Sequence, residues 1–312
     1  MDIRIKNAIK KIGGETIHFD VPMSQYTTIR AGGNAEAVYK AMNLEDLRKM
    51  VSFLVDEKIP YLPVGKGSNL LVLDGGMDGV VILLGGSFAF IVEDPVNGDD
   101  TKRVEPGLLA GAAISLPRLI AYCTKKGLAG AEFLAGIPGT VGGAIAMNAG
   151  SMSGEIKDVV CEVSVLNRKL TIERGDISRL KFQYRGLDLN TGDIILNARL
   201  NLRSDKPSSV KERVFYNIKQ RKKRFPFEIP SAGSVFKNPD GDYAGRLIDL
   251  AGLKGKSIGG ATISTDHANI IVTKDKVSAS DIVELINLTA DKVKELFNIT
   301  LLPEIKIVGK PH

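Results

Sequence analysis

The chain has 312 residues, room for two domains or one large and one small at about 100–200 residues each. Hydrophobic residues make up 44% and charged residues 25%, with a net charge of +6, which fits a globular protein with a small anionic ligand and argues against a nucleic-acid partner. No apolar run approaches the roughly 18 residues of a membrane span, and MDIRIKNAIKKIGGE lacks the apolar core of a signal peptide, so a cytoplasmic protein without membrane contact is expected.

In chain order, residues 26–40 read as a polar lead-in, a turn at Gly32 and Gly33, and a strand. A helix follows with Asn43 as its cap and Leu44, Leu47, Val51 and Leu54 or Val55 on one face; it ends before Pro60. The run YLPVGKGSNLLVLDGGMDGVVILL then alternates strand, glycine loop, strand, a turn at Gly75 and Gly76, and strand. Residues 104–127 give a loop and a helix, with Ser115 as N-cap, Pro117 in the first turn, Leu119, Ile120 and Cys123 facing a core, and Gly127 as the stop.

The stretch 131–150, AEFLAGIPGTVGGAIAMNAG, is the most unusual in the chain. Pro138 between Gly136 and Gly139 opposes a helix interior, and Gly139, Gly142 and Gly143 so close together oppose a strand. Such a run can bring bare backbone N–H groups close to a bulky anion; a tight apolar crossing between elements is the other reading. Strand-like runs VVCEVSVLN, KLTIERG, RLKFQYR and DIILNARLNLR follow, with turns at Asn167-Arg168, Arg174-Gly175 and Thr191-Gly192, an antiparallel pattern.

RSDKPSS, at 203–209, reads as a linker, followed by a helix from Val210 to Arg224 and a long Pro- and Gly-rich loop through residue 242. A short helix from Tyr243 to Ala251 has Asp242 as cap and Gly252 as stop. Strands ATIS and NIIVT flank residues 265–268, a last helix runs from Asp281 to Phe297 with Ser280 as cap, and the chain closes on TLLPEIKIVG.

Several chemistries can be set aside. Gly65 and Gly67 are followed by Leu70 in a strand-like run, so the dinucleotide fingerprint, whose third glycine opens a helix, is absent. A phosphate cradle of turn amides with Ser68 and Asn69 as side-chain donors stays open. Gly255-Lys256-Ser257 has Leu250 where a P-loop needs its first glycine. The run KQRKKR at 219–224 suits the solvated C-terminal end of a helix. Cys123 and Cys161 have no metal-ligand spacing and read as free thiols, His267 stands alone in STDHAN, and no metal is expected. What remains is two glycine loops and a third loop carrying Ser234, Lys237 and Asn238, an arrangement for a large anionic cofactor and a second ligand.

The ordered motifs VGKGSNLLV, AGIPGTVGGAIAMNAG, FQYR, PSAGSVFKNP, AGLKGKSIGGATISTDHAN and LLPEIKIVG resemble the UDP-N-acetylenolpyruvoylglucosamine reductase (MurB) family over about residues 20 to 309. The resemblance implies an α+β chain: an FAD-binding fold of the PCMH/vanillyl-alcohol-oxidase type over residues 1–205, with subdomains of about 1–84 and 85–205, and a substrate domain over 206–312. It implies noncovalent FAD, since no His lies in either glycine loop, and NADPH as hydride donor. FAD would be held by Gly65, Lys66, Gly67, Ser68, Asn69, Gly139, Thr140, Gly142, Gly143 and Asn148. The implied catalytic residues are Arg185, Ser234 and Glu304, with Lys237, Asn238, His267 and Asn269 binding a nucleotide-sugar substrate. A monomer is expected. Gln183 and Leu187 depart from the usual FGYR-x-S, NIIVT replaces a strand with an aromatic and a final Asn, and no long tyrosine-bearing insertion is present. A flavin-dependent sugar or alcohol oxidase and a cofactor-free nucleotide-sugar binder stay open as alternatives.

Overall fold

Short-range signals set the helices in the computed structural model, which describes residues 1–94, 106–151, 153–176, 180–223, 229–274 and 277–311. Helix α1 (Ile3–Gly13) is capped by Asp2, and α2 (Leu44–Asp56) by Asn43, whose Oδ1 accepts from the Asp46 N–H. Leu47, Met50, Val51 and Leu54 are the buried face of α2; Leu44 and Val55 are only partly covered. In α3 (Leu116–Lys126) Ser115 caps the start, and Gly127 at φ 67° ends it in the left-handed conformation that glycine adopts without cost.

The N-terminal strands are β1 (Ile17–Pro22), β2 (Asn34–Ala41), β3 (Tyr61–Pro63), β4 (Leu70–Val72) and β5 (Met77–Leu84). They follow the expected alternation with α2 and the glycine loop. One sheet has the order β1-β2-β5-β3, with β3 and β5 parallel. By compactness the chain divides into a first unit, residues 1–18, 38–65 and 80–220, and a second, residues 19–37, 66–79 and 221–312. This differs from the division expected at 205/206: the helix after the linker, α5 (Pro207–Lys222), stays with the first unit through residue 220, and two N-terminal segments belong to the second. The expected end of α5 at Arg224 lies outside the described residues.

In the first unit a five-stranded antiparallel sheet runs in the order 172–176, 160–166, 194–201, 107–111, 91–93. Gly107–Gly111, expected as loop, is an inner strand of that sheet. The turn expected at Arg174 and Gly175 is instead strand, those residues lying opposite Ser164 and Val163. Leu108, Ala110, Leu119, Phe133, Val141, Ile145, Val163, Ala198 and Leu200 form the buried core.

In the second unit β4 pairs in parallel with Lys306–Val308, and an antiparallel sheet has the order 231–234, 270–273, 261–263, 257–258. The short helix α6 is Ala244–Leu250, and Asn238, not Asp242, accepts from the N–H of Ala244 at its start. The last helix, α7, is Ala279–Phe297 and buries Ile282, Leu285, Ile286 and Val293. Its cap is Ser278, in a capping box with Asp281. Ser280, the expected cap, donates with its own hydroxyl to Asp74, which also accepts from the N–H groups of Ala279 and Ser280. A carboxylate there complements the positive end of the helix.

Candidate active site

The glycine-rich stretch becomes a short helix, α4 (Val141–Ala146), capped by the Thr140 hydroxyl, which accepts from the Gly143 N–H at 3.3 Å. The Gly142 amide, expected to face a cofactor, is spent inside the fold: it donates to the Ala112 carbonyl at 3.0 Å, beside Val141, which donates to that of Ile114 at 2.9 Å. A Cβ at Gly142 would lie 2.9 Å from the Cβ of Ala112, so this glycine is there for close packing. Gly65, which is exposed, and Gly143 face Thr140 instead. A Cβ on Gly65 would stand 2.5 Å from the Thr140 hydroxyl, and one on Gly143 would lie 3.4 Å from that hydroxyl and 4.0 Å from the Cα of Gly65. The structure thus brings the two glycines Gly65 and Gly143 together around the Thr140 hydroxyl, with no side chain on either. A diphosphate group needs such a surface to approach the chain, so these residues fit FAD.

Arg185 lies in the same unit, at the tip of a hairpin formed by Phe182–Gln183 and Gly186–Leu187. Its φ of 59° is left-handed, a conformation uncommon for a residue with a side chain and concentrated at functional sites. The guanidinium lies 5.1 Å from the centre of the Tyr184 ring, and its Nη1 is 3.9 Å from Oε1 of Glu155. Asn148, fully buried, supports this hairpin: its Nδ2 donates to the Gln183 carbonyl at 2.9 Å and to Oε2 of Glu155 at 3.0 Å, and its Oδ1 accepts from the Lys157 N–H. The expected cofactor contact of Asn148 is therefore replaced by a bracket inside the fold. Because it grips a backbone carbonyl, Gln183 in place of the usual glycine leaves that bond available. Burial pushes the Glu155 carboxyl up, but hydrogen bonds from Lys157 and Asn148 and the charges of Lys157 and Arg185 outweigh it and hold the group below its ordinary range.

In the second unit, Ser234 is placed by a bulge. Ser231 opposes Val272 and Ser234 opposes Ile270, so the first strand carries one residue more than its partner. Gly233, at φ 75°, absorbs the bend. From there the backbone is clamped to the segment carrying Glu304: Glu304 donates its N–H to the Val235 carbonyl at 2.7 Å, Lys237 to that of Leu302 at 2.8 Å, and Phe236 bridges Pro303. Val235 thereby lies opposite Glu304, and Ser234 comes one residue before that position; Ser234 and Glu304 are both half-buried.

The remaining expected residues divide between contact and support. Asn269 is buried and commits its side chain to Phe236, with Oδ1 accepting from the N–H and Nδ2 donating to the carbonyl. It sets the loop after Ser234 instead of facing a ligand. The Nδ1 of His267 accepts from the Asn269 N–H, and Asn238 starts α6. Lys237 is half-buried beside Phe236. Gly67, at φ 64°, packs so tightly that a Cβ would run into the Tyr26 carbonyl. Asn69 donates to the Glu304 carbonyl, while Lys66 is exposed and Ser68 half-buried. Sequence reasoning missed Glu155 and Gly233. The glycine directly before Ser234 was a readable signal of a bulge; nothing local marks Glu155. Among the described residues no group of three or more His, Cys, Asp and Glu could hold a metal, and no helix is long and apolar enough to cross a membrane.

The family model described as UDP-N-acetylenolpyruvoylglucosamine reductase, C-terminal domain, matches residues 225–308, and the FAD binding domain matches residues 35–175. The chain is 38% identical over 309 residues to the UDP-N-acetylenolpyruvoylglucosamine reductase of Syntrophus aciditrophicus, covering 99% of this chain and 97% of the relative. It belongs to the UDP-N-acetylenolpyruvoylglucosamine reductase family. The MurB crystal structure from Thermus caldophilus superposes with a TM-score of 0.77 at 35% identity, covering 92% of this chain and 97% of that one. A VAO-type flavoprotein from Myceliophthora thermophila, at 11% identity and a TM-score of 0.52 over 97% of this chain and 63% of that one, shares the fold alone. The reductase is thus an FAD-dependent oxidoreductase of the expected α+β, PCMH-type class.

Proposed function

We propose that this reductase uses NADPH to reduce the enolpyruvyl ether of UDP-N-acetylglucosamine-enolpyruvate to UDP-N-acetylmuramate, a cytoplasmic step in making peptidoglycan precursors. The observation that carries the reading is the backbone clamp that joins the strand end just after the bulged Ser234 to the segment carrying Glu304. Bound FAD supplies hydride transfer, from NADPH to C3 of the enolpyruvyl group.

Negative charge then builds on C2 and the adjoining carboxylate. Arg185 pairs with that carboxylate through its planar, two-pronged guanidinium. Glu304, in its protonated form, donates a hydrogen bond to the same carboxylate. Ser234 gives its hydroxyl proton to C2 as general acid and regains one from solvent, so one hydride and one proton are added in all. Gly65, Thr140 and Gly143 hold the FAD diphosphate, with Lys66 and Ser68 as further donors, and Lys237 meets the substrate diphosphate. Asn148 and Asn269 support these groups from behind.

The test is anaerobic titration of the purified protein. NADPH should bleach a yellow, noncovalently held flavin, and UDP-N-acetylglucosamine-enolpyruvate should restore the colour while UDP-N-acetylmuramate appears by mass. A colourless protein, or one bleached by sugars or alcohols without NADPH, would overturn the reading.

A further inference from the structure

Glu155 carries a structural pattern that its part in the local turn does not explain. It is the N-cap of the turn Ile156–Asp158, in a capping box with Asp158, and for that a side-chain acceptor of either charge suffices. Yet its two oxygens face different ways. Oε2 takes two donors, Nζ of Lys157 at 2.8 Å and Nδ2 of Asn148 at 3.0 Å, while Oε1 lies 3.9 Å from Nη1 of Arg185. That last separation is a Coulombic contact and longer than a hydrogen bond. Both side chains are about one-fifth exposed, at 21% each, so the attraction is only partly screened by water. The same Nδ2 of Asn148 holds the Gln183 carbonyl, two residues before Arg185. One buried amide therefore ties the carboxylate and the arginine hairpin into a single unit.

We propose that Glu155, held by Asn148, is a positioning residue for Arg185: its fixed carboxylate draws the guanidinium into the orientation that receives the carboxylate of the substrate. The proposal rests on the assignment of Arg185 to that carboxylate. A flexible arginine must lose side-chain freedom when it binds, and a fixed counter-charge removes part of that cost beforehand. Glu155 touches no reacting atom in this account and acts only through Arg185.

The experiment is a double-mutant cycle read in the two half-reactions of the holoenzyme. Glu155→Gln keeps the cap and the acceptor for Asn148 and removes the charge. It should leave flavin reduction by NADPH unchanged, and lower kcat/KM for the nucleotide sugar by about 10²-fold, the scale of a misplaced binding group. In an Arg185→Ala background the same change should have no further effect, because the residue through which Glu155 works is gone. Lys157→Met, which removes the other cation on Glu155, should stay near wild type. A loss of the same size in both backgrounds, equal damage from Lys157→Met, or an unaffected Glu155→Gln would each overturn the proposal. If Arg185→Ala itself left the sugar step intact, the assignment of Arg185 would fall instead.

Discussion

The side-chain amide of Asn69 donates to the main-chain carbonyl of Glu304 across 3.0 Å, and the Lys306 N–H returns a bond to the Asn69 carbonyl. The glycine loop and the segment bearing Glu304 are therefore one structural piece. Asn69→Ala removes the donor and should cost about 1 kcal/mol, the net worth of one such bond. Asn69→Asp is closer in shape but sets an acceptor against the carbonyl oxygen, so it should cost more. Urea midpoints measure both; an Asp variant more stable than the Ala variant would show that this bond does not hold the pair.

Ser234→Ala should leave flavin reduction by NADPH intact and slow reduction of the enolpyruvyl group by about 10²–10⁴-fold, the usual weight of a positioned acid. Stopped-flow traces of the two half-reactions separate the outcomes. Equal slowing of both, or of neither, removes Ser234 from the role of acid. The fold should be indifferent, because Gly233 and the clamp around Val235 set the strand end.

Arg185→Lys keeps the charge and loses the fork, so it should not restore the sugar half-reaction. A lysine variant with the parent kcat and KM would count decisively against carboxylate binding. The left-handed φ of 59° also predicts that Arg185→Gly folds at least as well as the parent, since glycine relieves the backbone strain. A lower melting temperature for Arg185→Gly would contradict that.

The two neighbouring glycines of α4 should part company. Gly142→Val forces carbon against Ala112, where the Cβ alone already comes within 2.9 Å, and should lower stability whether or not FAD is present. Gly143→Val has 3.4 Å to Thr140 and 4.0 Å to Gly65, so the protein should fold and purify with less flavin. Flavin absorbance per folded protein is the measure, and full flavin in Gly143→Val would move the diphosphate elsewhere.

Burial, helped by the charge of Glu132, pushes the Cys123 thiol from an ordinary 9.0 up to about 12. A raised folded pKa means a contribution to stability that is complete below about 9 and lost as pH rises toward about 12. Native protein at pH 8 should not react with a thiol reagent at Cys123 until denaturant is added. Half-buried Cys161, also raised by burial, should react first, and labelling in the opposite order would refute the account.

The sequence by itself determined whatever depends on neighbours within a few residues. The caps Asn43 and Ser115, the stop at Gly127, the alternation of strands around the glycine loop and the hairpin at 261–273 were all legible, because their hydrogen bonds and apolar faces close within a turn or two. So was the family, which the motifs around Arg185, Ser234 and Glu304 identify. What tertiary structure decided is which polar groups remain for a ligand. Asn148, Asn269 and Gly142 read as binding groups, but their partners are Gln183, Phe236 and Ala112, far along the chain, and only folding brings them within bonding distance. Ser278 caps α7 where Ser280 looked equally able, because Asp74 claims Ser280 from a distant strand end. A side-chain amide or hydroxyl bonds equally well to any partner of the right geometry, so its partner is chosen by packing and not by residue type.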